Sequence, residues 1–123
     1  MNMKGYSFLL NDDSNSHHLY FVISDPDPDN NVLLVNMTTI YSGVYHDSSC
    51  ELNRSDHPFV QHPSYITYKD AREVQQEIIL NNVMKHVYIR QEDASIGLLS
   101  KIQRGAVSSD FLPEKFIKYF DFF

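Results

Sequence analysis

The sequence contains almost no residues that could cross-link the fold covalently. Its 123 residues include no tryptophan, four glycines and a single cysteine, Cys50. One cysteine cannot form a disulfide within the chain, which excludes the disulfide-rich secreted scaffolds. We therefore predict a reducing environment and a cytoplasmic location.

Long apolar runs and positive charge are also scarce. No stretch approaches the roughly 20 apolar residues of a membrane-spanning helix, and the first ten residues lack the apolar run of a signal peptide. No membrane partner is therefore expected. Ten Lys and Arg against 16 Asp and Glu give a formal charge of −6. This argues against an extended nucleic-acid surface, although a small groove can still concentrate a few cations.

The motifs of several enzyme classes are missing. The chain has no GxSxG, P-loop or GxGxxG motif, so we expect neither acyl transfer nor dinucleotide chemistry, and no cofactor. Cys50, His57 and His62 offer a conceivable zinc site. Neither CxxC nor HExxH accompanies them, so we predict no metal.

Short apolar segments separated by polar turns dominate the first two thirds of the chain. Hydrophobic residues make up 42% and aromatic residues 13%, enough for a core in one domain spanning 1–123. The pattern predicts strands at 5–10, 18–24, 32–40, 50–52 and 64–68, with 69–74 continuing or closing the last. We predict a small, curved antiparallel β domain over residues 5–74.

The last third favours helices. Residues 93–105 predict a helix capped by Asp93 or Ser95 and ending near Gly105. Its apolar face is predicted to carry Ile96, Leu99, Ile102 and Ala106. Residues 112–120 predict a second short helix with an apolar stripe of Phe116, Ile117 and Phe120. We expect the segment 93–120 to dock on the sheet, whereas 83–89 fits a strand or a helix equally well.

Polar side chains collect where the predicted strands begin and end. Because strand ends converge in a curled sheet, these side chains are candidates for one groove. They are His17, His18, Thr38, Thr39, Arg54, Asp56, His57, His62 and Ser64. Imidazoles that exchange protons near neutral pH, with a cation or hydroxyl to hold phosphate, suit a metal-independent ribonuclease.

Several segments resemble the PemK/MazF-like toxins. The early segments are GYSF at 5–8, HLYFVISD at 18–25 and VLLVNMTT at 32–39. The later ones are CEL at 50–52, DHPF at 56–59 and SYITY at 64–68. Where the family has an Arg-Pro step at its second strand, this chain has His17 and His18.

The resemblance implies a mainly β fold with C-terminal helices, built as a small SH3-like antiparallel barrel. It implies an endoribonuclease toxin of a toxin-antitoxin or defence system that cleaves single-stranded RNA without metal. It also implies a homodimer and inhibition by a cognate antitoxin protein.

Roles can be assigned to the candidate residues on this hypothesis. We predict His18 as general base or acid, Thr38 or Thr39 as phosphate donor, His57 as second proton carrier and Arg54 as the cation. Four further residues are predicted to bind substrate, namely His17, Asp56, His62 and Ser64.

The acidic charge and the aromatic C-terminal tail favour an alternative. The chain would then be a non-catalytic interaction module, such as an inactive toxin relative, an immunity protein or a phage-defence adaptor.

Overall fold

The computed structural model describes residues 2–11 and 18–120. Its strands are β1 (Ser7–Leu10), β2 (Leu19–Val22), β3 (Asn31–Thr39), β4 (Glu51–Leu52), β5 (Ser64–Gln75) and β6 (Tyr88–Gln91). Its helices are α1 (Gln76–Met84), α2 (Ile96–Ser108) and a 3₁₀ helix (Glu114–Phe120). Within these described ranges no helix is long and apolar enough to cross a membrane.

The six strands form one antiparallel sheet in the order β4-β5-β3-β2-β1-β6, curled into a half-barrel. The predicted mainly β fold with C-terminal helices is confirmed. The sheet also takes in β6, which follows α1 in the chain and pairs with β1.

The central strand β3 divides its side chains between two cores. Leu33, Val35 and Met37 pack with α2 and the 3₁₀ helix on one face of the sheet. Val32 and Leu34 point the other way and pack with α1. We call these the α2 face and the α1 face. Because both faces are covered, this strand is an almost continuous apolar run.

Helix α2 starts where the capping signal predicts. Ser95 is its N-cap, and Leu98 N–H donates a hydrogen bond of 3.1 Å to the Ser95 hydroxyl. Ile102 and Ala106 are buried as predicted, but Ile96 is 90% exposed, so the predicted apolar face is wrong there. Leu98 takes that place, since at about 100° per residue Ile96 lies on the opposite side of the helix.

The predicted helix end at Gly105 is wrong, because α2 continues to Ser108. Gly105 instead lies where the helix meets the sheet. A Cβ atom there would overlap the Tyr68 hydroxyl and come within 2.8 Å of Cys50 Cβ. The glycine is therefore needed for close packing and not for termination.

The segment that fits both helix and strand contains the end of one and the start of the other. Helix α1 ends at Met84 and β6 begins at Tyr88. His86, with φ of 60°, lies in the turn between them. The seven residues of 83–89 thus contain the end of a helix, a turn and the start of a strand, so no single periodicity describes the segment.

The C-terminal helix docks on the α2 face as predicted. Phe116 and Phe120 are buried, but Ile117 is exposed and Tyr119 is buried in its place. A 3₁₀ helix aligns residues three apart, which puts Tyr119 beside Phe116. The Tyr119 hydroxyl donates a 2.9 Å hydrogen bond to Glu73 of β5, which ties the helix to the sheet.

Candidate functional site

The sheet register divides the predicted site residues between two faces. Thr38 opposes Tyr65, and Thr39 opposes Ser64. Ser64 also opposes Leu52, which belongs to the α2-face core. Directly opposed residues share a face and successive residues alternate, so Thr39 and Ser64 point to the α2 face and Thr38 to the α1 face.

His57 is buried on the α2 side, with only 3% of its surface exposed. Phe59 N–H donates to its Nδ1 at 3.0 Å. Its Nε2 therefore carries the hydrogen and donates to the carbonyl of Glu92 at 2.7 Å. Both ring nitrogens form hydrogen bonds with backbone groups. The ring therefore anchors the turn after β4 and has no nitrogen left for a substrate.

Arg54 and Asp56 border a shallow pocket beside His57, and each also makes local contacts. Arg54 Nε donates to the carbonyl of Gln61 at 3.1 Å. The Asp56 carboxylate accepts from Asn53 N–H at 2.8 Å and lies 3.4 Å from Lys101 Nζ. These contacts stabilise the turn and its docking on α2.

The remaining predicted substrate-binding residues do not extend this group. Ser64 is buried, and its hydroxyl donates to the carbonyl of His62 at 2.8 Å. The His62 side chain is exposed. His17 lies outside the described residues.

A row of opposed residues on the α1 face crosses β4, β5 and β3 and reaches the residue before β2. Glu51 of β4 opposes Tyr65 of β5, and Tyr65 opposes Thr38 of β3. Continuing the β2–β3 register by two residues places His18 opposite Thr38. We call these four residues the cross-strand row. Two of the predicted catalytic residues, His18 and Thr38, are therefore neighbours.

An imidazole lies at each end of the row. His46 Nε2 donates to the Glu51 carboxylate at 2.5 Å, and its ring centroid is 5.1 Å from that of Tyr65. His18 Nδ1 donates to the carbonyl of Met37 at 3.1 Å, since a carbonyl can only accept. Each ring thus has one nitrogen fixed by the protein. His46 Nδ1 and His18 Nε2 are the nitrogens that can exchange a proton with a substrate.

The row borders a pocket of about 180 Å³. Residues lining it include Tyr45, His46, Tyr65, Thr67, Lys69 and Phe111. It lies at the edge of β5 where the two-residue strand β4 has ended. Thr67 Oγ1 is 2.9 Å from Thr38 Oγ1, so a hydrogen bond joins the pocket wall to the row.

The pocket combines flat apolar surfaces with positive charge. Tyr45 and Phe111 are both exposed, with ring centroids 6.2 Å apart. Lys69 contributes an exposed ammonium group. Arg72, also on β5 but outside the pocket lining, places its guanidinium 5.3 Å from the ring of Tyr20. Aromatic faces beside cations suit a base linked to a phosphate.

Asp47 holds the loop that carries His46. Its carboxylate accepts hydrogen bonds of 2.6 Å from the hydroxyls of Ser49 and Ser109. Partial burial opposes ionisation of Asp47, but the bonds from Ser109 and Ser49 outweigh it and lower the pKa of the carboxyl. The loop before β4 is thereby tied to the end of α2.

Low pH is expected to weaken this contact between the loop before β4 and the end of α2. Because the folded pKa of Asp47 lies below its ordinary value of 3.8, ionised Asp47 stabilises the fold above that pH. The contribution is lost as pH falls through the folded pKa. Asp47→Asn should lower the free energy of unfolding by roughly 1 kcal/mol at pH 7. Its difference from wild type should shrink steadily below pH 3.8.

Urea unfolding of both proteins between neutral and acid pH measures this difference. Asp110→Asn is the control, since Asp110 is an exposed carboxyl close to the same helix end. A difference between Asp47→Asn and wild type that stays constant with pH would contradict the assignment.

The conceivable zinc site is not assembled. Cys50 is buried, and burial raises the pKa of its thiol to about 11. His57 uses both nitrogens on backbone. Over the residues that the structure describes, no group of three His, Cys, Asp or Glu side chains is placed to hold a metal ion.

Comparisons of the chain with protein-family models, curated proteins and solved structures gave no match. The resemblance to the PemK/MazF-like toxins therefore stays a prediction. The candidate site depends on the register and bonds described above.

Sequence reasoning missed His46, Glu51, Tyr65 and Lys69 as site residues. An imidazole and a carboxylate five residues apart, at a loop–strand junction, are too common to single out. The useful signal is the alternation of side chains between the two faces of a strand. Tyr65 and Thr67 lie two apart on β5, opposite the polar end of β3.

Proposed function

We propose that the chain is a metal-independent endoribonuclease of a toxin-antitoxin or defence system that cleaves single-stranded RNA at the cross-strand row. The observation that carries the proposal is the hydrogen bond of His46 to Glu51 beside Tyr65, with His18 at the other end of the row. The two imidazoles flank hydroxyl groups that can hold a phosphate.

The proposed reaction cuts the RNA chain by transferring one phosphate from the 5′-oxygen to the neighbouring 2′-oxygen. A base removes the proton of the ribose 2′-hydroxyl, the 2′-oxygen attacks phosphorus, and the bond to the 5′-oxygen breaks. An acid then protonates the leaving 5′-oxygen, which gives a 2′,3′-cyclic phosphate and a 5′-hydroxyl. His18 Nε2 takes the first proton, and His46, as imidazolium beside Glu51, gives the second from Nδ1.

The spacing of the strands suits this division of roles. His18 lies two strand spacings, about 10 Å, from Tyr65, against which the His46 ring packs. A phosphate above Thr38 lies between the two rings. The hydroxyls of Thr38 and Thr67 and the ammonium of Lys69 then stabilise the charge that develops on its oxygens.

The pocket supports a single-stranded substrate. Stacking on Tyr45 or Phe111 needs a base that has left its own stack, which loops and single strands provide. Lys69 and Arg72 suit the adjoining phosphates. The proposed RNA-binding surface is small, so it is compatible with the overall charge of −6.

The decisive experiment incubates purified protein with a mixed-sequence single-stranded RNA in EDTA. We expect fragments that end in 2′,3′-cyclic phosphate, identified by mass spectrometry. The same sequence with 2′-O-methyl groups should bind but stay intact, because it lacks the attacking hydroxyl. Folded protein that leaves every RNA intact would refute the proposal.

A second candidate is the non-catalytic interaction module. Tyr41, Val44 and Tyr45 are all exposed in the loop beside the pocket, and large exposed side chains of this kind anchor protein partners. An antitoxin is the partner proposed for the ribonuclease. Intact RNA, together with tight binding of a partner that Tyr41→Ala or Tyr45→Ala abolishes, would favour the module instead.

A further inference from the structure

A cavity of about 320 Å³ lies between the first turn of α1 and the turn at 25–30 that joins β2 to β3. We call it the α1 cavity. Strand β3 leads from this turn to the cross-strand row, and Thr38 comes seven residues after Asn31, roughly 23 Å along the strand. A ligand in the cavity is therefore separate from the proposed RNA site. The cavity is lined by Met3, Pro26, Asn30, Gln76, Glu77 and Leu80.

A buried hydrogen-bond acceptor at this cavity lacks a donor. Gln76 is only 6% exposed, and its amide Nε2 donates to Asn30 Oδ1 at 2.7 Å. Its backbone N–H donates to the Asn30 carbonyl at 3.0 Å. Both bonds fix the residue, yet Gln76 Oε1 is buried with no hydrogen-bond partner among the described residues. Because an unpaired buried acceptor is costly, a ligand that brings a donor into the cavity is favoured.

The charge around the cavity is negative. Glu77 is exposed in the first turn of α1, and the turn at 25–30 carries three aspartates, two of which pair with lysines. In the part of the chain that the structure describes, neither Asp29 nor Glu77 has a cationic partner. The carboxylate of Glu77 offsets the partial positive charge of the helix start. The cavity therefore attracts a cation and repels an anion.

We propose that the α1 cavity binds an aliphatic amine in its ammonium form. The ammonium group donates charge-assisted hydrogen bonds to Gln76 Oε1 and to the Glu77 carboxylate. The terminal torsion of a glutamine is soft, so the amide can turn Oε1 toward a donor in the cavity. The alkyl chain lies against Met3, Pro26 and Leu80, the apolar part of the lining.

The size of the cavity sets the size of the amine. At about 30 Å³ for each water molecule, its volume equals that of roughly ten waters. A linear amine with about that many non-hydrogen atoms fits, and spermidine is such an amine. It is the probe for the experiment.

The experiment titrates spermidine into the full chain, without RNA, at about 0.15 M salt and follows backbone amides by heteronuclear NMR. We expect a Kd on the order of 100 μM, with the largest shifts at Asn30, Gln76 and Glu77. Triethylene glycol, a neutral chain of the same length, should bind at least about tenfold more weakly. No shifts at these residues with millimolar spermidine, or equal shifts with the glycol, would overturn the proposal.

Magnesium separates a shaped site from general attraction to acidic side chains. A hydrated magnesium ion brings charge but no alkyl chain, so an equal concentration of it should raise the apparent Kd of spermidine less than about twofold. An increase of about tenfold would mean that charge alone holds the amine, which would contradict the proposed site.

Two substitutions test the two acceptors. Glu77→Gln keeps the shape of the side chain but removes its charge, and should weaken spermidine binding about tenfold. Glu114→Gln is the matched control with wild-type affinity, because Glu114 is an exposed carboxylate in the first turn of the 3₁₀ helix. Gln76→Met removes Oε1 and should also weaken binding about tenfold, with thermal melting as the check on folding. Wild-type affinity in Glu77→Gln or in folded Gln76→Met would overturn the proposed contacts.

Discussion

Replacing His46 by alanine is expected to lower the rate of RNA cleavage by about 10²- to 10⁴-fold, the usual contribution of a positioned general acid or base. His46 is the imidazole whose Nε2 is held by Glu51, and its ring packs on Tyr65 within the row. Its removal takes away the proton donor for the leaving oxygen. Single-turnover rates with a fluorescent RNA measure the loss without interference from product release.

The partners of His46 should show graded effects. Glu51→Gln keeps a side chain that can accept a hydrogen bond but removes the charge, so we expect a smaller loss of about tenfold or more. Thr38→Val removes a hydroxyl from the proposed phosphate site and should also lower the rate.

Two variants test which face of the sheet carries the active site. Arg54→Ala and His62→Ala alter exposed residues that the sequence places in the site and the structure places away from the row. Both should cleave RNA at the wild-type rate. If Arg54→Ala abolishes cleavage while His46→Ala does not, the active site lies on the α2 side, and the proposed roles of His18 and His46 are wrong.

The strands could be predicted because their signals are local. The run of β3 and the alternation at 64–68 each need only a few neighbouring residues. Helix α2 can be predicted from its cap at Ser95. The apolar face of α2 and the role of Gly105 cannot be predicted in this way, because they depend on which side of the helix meets Tyr68 and Cys50.

The candidate site could be predicted only in part, because it depends on strand parity and register. Thr38 and Thr39 are adjacent and chemically alike, yet they point to opposite faces of the sheet. The sequence offers no way to choose between them without the pairing of β3 with β5. The same limit applies to His57, whose two backbone bonds come from residues 59 and 92.

The largest expected effect on stability is at Gly105. Glycine to alanine inside a helix normally stabilises it, by about 1 kcal/mol. Here the added Cβ would overlap the Tyr68 hydroxyl and lie 3.0 Å from the carbonyl oxygen of Ser49. The hydroxyl cannot easily move, because it is buried and donates a 2.7 Å hydrogen bond to the carbonyl of Ile102. Overpacking and the strained bond should outweigh the gain in helix propensity.

We therefore expect Gly105→Ala to lower the free energy of unfolding by about 2–4 kcal/mol. The melting temperature should fall by roughly 10 °C in a chain of this size. Urea unfolding and calorimetry measure both quantities. A Gly105→Ala protein as stable as wild type would mean that the helix and β5 are not packed this closely.

Two further variants separate steric overlap from a general effect of alanine. Gly97 lies in the same helix, and a Cβ atom added there would meet nothing within 4 Å, so Gly97→Ala should raise stability by up to about 1 kcal/mol. Tyr68→Phe removes the atom that the new methyl group overlaps. The double variant Tyr68→Phe/Gly105→Ala should therefore lose less stability than the sum of the single changes, because the two side chains compete for one space.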